Sequence, residues 1–184
     1  MTPTTEFQGF PKIPRLSRDC VVSEKIDGTN AQILIADDGA MLAGSRSRWL
    51  RPGKQDNFGF AAWVEANREE LARLGPGRHF GEWWGNGIQR GYGLKNGERR
   101  FSLFNVSKWE DDAARPACCS VVPVLYRGPF CTVKIAQVAA ELAFTGSIAM
   151  PGFAKPEGIV VFHAASGVLF KKTLENDEAP KGLK

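Results

Sequence analysis

Lys25 stands in SEKIDGTN (residues 23–30), two residues before an acid and three before a glycine, inside an otherwise β-rich stretch. An amine attacks a phosphoryl centre only as the neutral base, which burial and neighbouring cations favour. K-x-D-G alone is better explained as a solvated lysine beside a turn glycine. Residues of complementary chemistry follow at intervals. They are Arg46 in GSRSRWL, Glu82 in FGEWWGNGIQ, Phe101 and Phe104 in FSLFNV, Glu157 in PEGIVV, and Lys171 and Lys172 in FKK. Cations suit phosphate oxygens, carboxylates suit a hard metal ion, and an aromatic ring in a half-buried slot suits a nucleobase face.

These residues need elements to hold them. CVVSEKI and NAQILIA read as strands, and Asp38-Gly39 reads as the turn of a hairpin into MLAGS. An amphipathic helix is predicted from Asn57 to Leu74, ended by GPG. Strands are predicted again at 78–84, 99–106 and 121–126, then a helix from Thr132 to Phe144 closed by Gly146, then a hairpin through GIVVFHAASGVLFKK. Residues 1–20 read as an irregular, Pro-punctuated lead-in and the last ten as frayed. The class is strand-dominated α+β. Strand alternation then sets two constraints: Phe101 and Phe104 face opposite sides, so only one can stack, and adjacent Lys171 and Lys172 also face opposite sides.

Bulk composition narrows the function. A chain of 184 residues with 43% apolar residues predicts one domain, 1–184, with its core at about 20–173. No apolar run approaches the roughly 20 residues of a membrane span, and the N-terminus lacks the order of a secretory signal, so the expectation is a cytoplasmic protein away from membranes. The four cysteines lack C-x-x-C spacing, which predicts reduced, buried thiols and no structural zinc. NVS at 105–107, on a predicted strand, reads as a chance glycosylation triplet. A formal charge of +4 favours an anionic partner such as nucleic acid or a nucleotide. P-loop and Rossmann phosphate cradles are excluded, because neither G-x-x-x-x-G-K-[ST] nor G-x-G-x-x-G occurs.

Taken in order, the six segments EKIDGTN, GSRSRWL, FGEWWGNGIQ, FSLFNV, PEGIVV and FKK resemble the motifs of the covalent nucleotidyltransferases, which comprise RNA ligases, DNA ligases and mRNA capping enzymes. The resemblance spans about residues 20–172. DNA ligases and capping enzymes usually carry arginine two residues after the motif glycine, where many RNA ligases carry asparagine. Asn30 and GEWWGNGIQ therefore make the chain similar to the ATP-dependent RNA ligase branch.

The resemblance implies antiparallel sheets flanked by helices around an ATP pocket. It implies that Lys25 takes AMP from ATP as a phosphoramidate, that AMP passes to a 5′-phosphate RNA end, and that a 3′-hydroxyl displaces it to seal the strand. Arg46 and a lysine of FKK would bind phosphate oxygens. Glu82 would hold the ribose hydroxyls, and Phe104 would stack on adenine. Glu157 would contact Mg2+ (or Mn2+), directly or through water. Glu24 would assist ligation or metal binding, or be a solvated strand residue; Asn30 would touch phosphate or the RNA end, or cap a turn. Asp27 and Gly28 would be structural. The family usually ends in K-x-K, so FKKT favours Lys171 inside with Thr173 in the second place, while a one-residue shift would select Lys172.

SRSRWLRPGK and IQRGYGLKNGERR, with Trp49 and Tyr92 interleaved, would carry an RNA end or be solvated loops. The chain stops about a dozen residues after FKK, where many relatives continue into a second, nucleic-acid-gripping domain; the expectation is that this domain is missing, which leaves room for a protein partner. A DNA ligase or GTP-using capping enzyme would share the first step, with Asn30 the argument against both. A non-catalytic binder of nucleic-acid ends would not need the intact Lys25, Glu82 and Glu157 set.

Overall fold

Alternating apolar residues build each strand around a buried face, and two sheets result. The computed structural model describes Phe7 and residues 9–178. In chain order the strands are β1 (Asp19–Lys25), β2 (Thr29–Ile35), β3 (Met41–Ser45), β4 (Gly77–Gly85), β5 (Arg99–Leu103), β6 (Cys119–Val121), β7 (Val124–Pro129), β8 (Gly158–His163) and β9 (Val168–Thr173). One sheet has the order β7-β1-β8-β9, the other β3-β2-β4-β5-β6. All pairings are antiparallel except β5 with β6.

The helices are α1 (Phe60–Ala66), α2 (Arg68–Leu71), α3 (Val106–Trp109) and α4 (Thr132–Thr145). The five-stranded sheet buries Ile33, Trp83, Phe101 and Leu103 against Phe60, Val64 and Leu71. The four-stranded sheet buries Val22, Ile159 and Val161 against Ile135, Val138 and Leu142 of α4. A third cluster, with Ile26, Trp84, Tyr92 and Val122, lies where the sheets meet. The remaining face of each sheet is left to line the space between them.

Three sequence-based boundaries are corrected. The helix over 57–74 is broken at Asn67, whose φ of −110° and ψ of 17° leave the helical region and whose amide donates to Trp63 O. The strand over 99–106 stops at Leu103, because Asn105 caps α3 by accepting from the Lys108 N–H; NVS thus lies at a helix start. The run 121–126 divides into β6 and β7, and Val122-Pro123 carries the chain from one sheet to the other. The Asp38-Gly39 hairpin forms as expected, with Gly39 at φ 82°. All four cysteines are free, yet Cys131 is exposed, so the expectation of buried thiols fails there. The expected frayed end falls mostly on 179–184, outside the described residues. No helix among the described residues is long and apolar enough to cross a membrane.

Candidate active site

Strand register decides which side chains meet. Val21, Ser23 and Lys25 of β1 pair with Phe162, Val160 and Gly158 of β8, and Val160 and Phe162 pair in turn with Lys171 and Leu169 of β9. These positions share the face turned toward the other sheet. From that sheet Asn30, Phe80 and Glu82 face back, joined by Phe104 just beyond β5. Between them lies a cavity of about 920 Å³.

Lys25 ends β1 in the cavity wall, its side chain 25% exposed, and its Nζ donates to Glu157 Oε2 at 2.6 Å. Glu157 directly precedes β8, whose Gly158 pairs with Lys25, so the two-residue contact follows from sheet register. The loop after Lys25 is tied at several points. Arg90 Nε donates to Asp27 Oδ2 at 3.1 Å, Nη1 to the Lys155 carbonyl at 3.1 Å, and Nη2 to Glu175 at 3.2 Å. The Asp27 N–H donates to the Tyr92 hydroxyl at 2.9 Å. Burial pushes that hydroxyl's pKa up, so it stays protonated. One arginine thus joins the lysine loop, the segment before Glu157 and the end of β9.

Glu82 is buried, at 7% exposure, and accepts from the Gly28 N–H at 3.1 Å and from the Asn30 amide at 3.0 Å. Burial pushes its carboxyl up to about 7, against the opposing pull of the Lys25 ammonium and the Gly28 N–H. Gly28 must lack a side chain, because a Cβ there would come within 2.5 Å of the Trp83 carbonyl oxygen and 3.0 Å of Glu82 Cγ. Phe101 is fully buried in the core, whereas Phe104 is 42% exposed on the cavity. Of these two, Phe104 is the ring presented to the cavity.

The family model described as RNA ligase matches residues 18–173. The chain belongs to the RNA ligase family. No curated protein matches the sequence. Among solved structures, a mutant of the Naegleria gruberi RNA ligase with ATP and Mn superposes with a TM-score of 0.65 at 20% identity, over 87% of this chain and 51% of that one. A second mutant of the same ligase, with AMP and Mn, gives 0.64 at 20% identity over 86% and 50%. This likeness shows the nucleotidyltransferase fold. The chain spans about half the length of these solved relatives.

Within this RNA ligase fold, Lys25, Asn30, Glu82, Phe104, Glu157 and Lys171 come together, and three expected residues stand apart. Arg46 lies exposed just past β3, outside the cavity wall. Lys172 points to the other face of β9 and pairs with Asp177 at 3.3 Å. Glu24 borders the cavity, but alternation turns its carboxylate toward the segment after α4. There it accepts from Ser147 Oγ at 2.6 Å and from the Ile148 and Ala149 N–H groups at 2.8 and 2.9 Å. At 1% exposure it is no solvated strand residue.

Tyr92, read from sequence as part of an RNA-facing loop, is completely buried. Arg90 and Tyr92 are the positioning residues that sequence reading missed. Their only local signal is a ring flanked by Gly91 and Gly93, which lets the loop run through positive φ at all three residues.

A metal ion beside Lys25 would find Glu157, its side chain 18% exposed and in contact with the Lys25 amine, and no cluster of three or more His, Cys, Asp or Glu suited to a metal among the described residues. That donor set fits a hard cation held largely by phosphate oxygens and water, the usual arrangement for Mg2+.

Proposed function

We propose that this chain is the adenylyl-transferring unit of an ATP-dependent RNA ligase. The observation that carries the reading is Lys25 held 2.6 Å from Glu157 in a cavity edged by Glu82, Phe104 and Lys171. In the free protein Lys25 Nζ donates to Glu157 Oε2. Attack requires that its proton pass to Glu157 or to water, after which Nζ bonds to the α-phosphorus of ATP. The bond to the bridging oxygen breaks and pyrophosphate leaves, so that Lys25 carries AMP.

Phe104 stacks on the adenine and Glu82 accepts from the ribose hydroxyls, while Lys171 and Asn30 face the phosphates. Glu157 is the residue that would hold Mg2+ or Mn2+, which would screen phosphate charge. Arg90 and Tyr92 keep the lysine loop in place, so the lost motional freedom is met by folding before ATP arrives. AMP then moves to a 5′-phosphate RNA end, and a 3′-hydroxyl displaces it.

The test is incubation of freshly purified, AMP-free protein with α-labelled ATP or GTP and Mg2+. Acid-labile labelling from ATP, absent in Lys25→Ala, is the expected result. Labelling from GTP alone would move the protein to capping chemistry, and no labelling would remove the enzyme reading. A nicked or broken RNA with a 5′-phosphate end should be sealed, and a clear preference for all-DNA nicks would overturn the RNA branch.

A further inference from the structure

The face of the five-stranded sheet that lines the cavity with Phe104 and Phe80 carries a row of exposed aromatic side chains that runs out of the cavity to Trp49. Gly44 pairs with Gln32 and Gln32 with Phe80, and the Phe104 N–H donates to the Phe80 carbonyl at 2.9 Å. Trp49 bridges to Gly44, and a Cβ on Gly44 would come within 3.0 Å of its ring, so the indole covers bare backbone there. The row therefore runs Trp49, Gln32, Phe80, Phe104. The three rings are 44%, 52% and 42% exposed, although all belong to residue types that normally fill a core.

Gln32 does not interrupt the row. Its amide donates to the Ser45 carbonyl at 3.0 Å and its oxygen accepts from Arg78 at 2.8 Å, which holds it along the sheet. The Arg78 guanidinium lies 5.3 Å from the Trp49 ring centre. The adjoining loop 46–56 carries Arg46, Arg48, Arg51 and Lys54 against one acid, Asp56, whose carboxylate is engaged by the Ala61 and Ala62 N–H groups. Flat rings spaced across a sheet and rimmed by cations that form no ion pair among the described residues suit unpaired bases on a polyanionic backbone. A protein segment with apolar side chains would gain little from that rim.

We propose that Trp49 and Phe80, with Arg78 between them, bind single-stranded RNA next to the end being joined. This rests on the RNA ligase reading, in which Phe104 is occupied by adenine. Across four strands the row spans about 14 Å, the reach of about four stacked nucleotides. A strand lying on it would lead directly into the cavity that holds Lys25.

The test is binding of a fluorescein-labelled, 5′-phosphorylated single-stranded RNA to the whole chain, followed by anisotropy. Trp49→Leu should weaken Kd about tenfold or more, and Trp49→Phe, which keeps a ring, should stay within about threefold of the wild type. Fully paired RNA of the same length should bind more weakly than single-stranded RNA. Equal affinity of wild type and Trp49→Leu, equal losses in the Leu and Phe variants, or preference for the duplex would each overturn the proposal. In the unsubstituted protein, photocrosslinks from 4-thiouridine RNA should map to peptides containing Trp49 or Phe80; crosslinks confined elsewhere would also overturn it. Labelling of Lys25 by ATP without RNA reports separately on the ligase reading. Label without Trp49-dependent binding removes only the surface, and Trp49-dependent binding without label removes only the ligase.

Discussion

Glu82 shows how the fold sets the charge of a single residue. Its carboxyl is raised from 4.5 to about 7, so between those values the folded protein holds a proton that the unfolded chain releases. Stability must then fall as pH rises through that window, by up to about 3 kcal/mol from this group. Chemical denaturation at pH 5 and pH 8 should show that fall in the wild type and a smaller one in Glu82→Gln. Arg90 acts at the same scale through geometry. Its three contacts use the planar fork of the guanidinium, which a lysine cannot reproduce. If Lys25 takes AMP as proposed, Arg90→Lys should slow Lys25 labelling about tenfold or more while ATP affinity changes little, because Arg90 holds the Lys25 loop without lining the cavity.

At the scale of the element, alternation along a strand separates residues with similar chemistry. Phe101 lies in the core and Phe104 on the cavity. Phe101→Ala should cost about 3–5 kcal/mol in a thermal or denaturant melt. Phe104→Ala should fold normally and lose ATP affinity. β9 divides its lysines in the same way, so Lys171→Ala should lower the labelling rate about 100-fold, the usual effect of removing one group aimed at developing phosphoryl charge. Lys172→Ala, which removes one of the partners of Asp177 and leaves the Thr173 donors, should change it less than threefold. Glu24 is bound into the wall by three donors, and Glu24→Ala strands two backbone N–H groups. Its expected effect is a lowered melting temperature.

The cavity belongs to the whole molecule, because neither sheet contains it alone. Lys25, Glu157 and Lys171 come from one sheet, Glu82 and Phe104 from the other, and the cluster of Ile26, Trp84, Tyr92 and Val122 fixes the separation. A nucleotide touching both walls favours only the state in which they face each other. ATP at about 100 times its Kd should therefore add about 2.7 kcal/mol, raising the melting temperature by about 5–10 °C in a scanning fluorescence assay.

The motifs, their order, the family and the α+β class were legible in the sequence, because residue type and strand periodicity are local properties. Alternation in FKKT showed that only one of Lys171 and Lys172 could face the cavity; the K-x-K pattern of the resembled family favoured Lys171 without deciding it, and the fold puts Lys171 on the cavity wall. Strand ends such as Leu103 and the break at Asn67 were not legible, because caps and packing override propensity there. The placement of Glu24, Arg46 and Tyr92 escaped the sequence for a different reason. A carboxylate beside Lys25, an arginine in a motif and a tyrosine in a basic loop look functional by type. Only the tertiary structure shows that Glu24 faces α4's exit, Arg46 faces solvent and Tyr92 fills the core. Chemistry at a site depends on which side chains converge, and convergence across two sheets is fixed by pairing between strands more than 100 residues apart in the chain, such as β1 with β8.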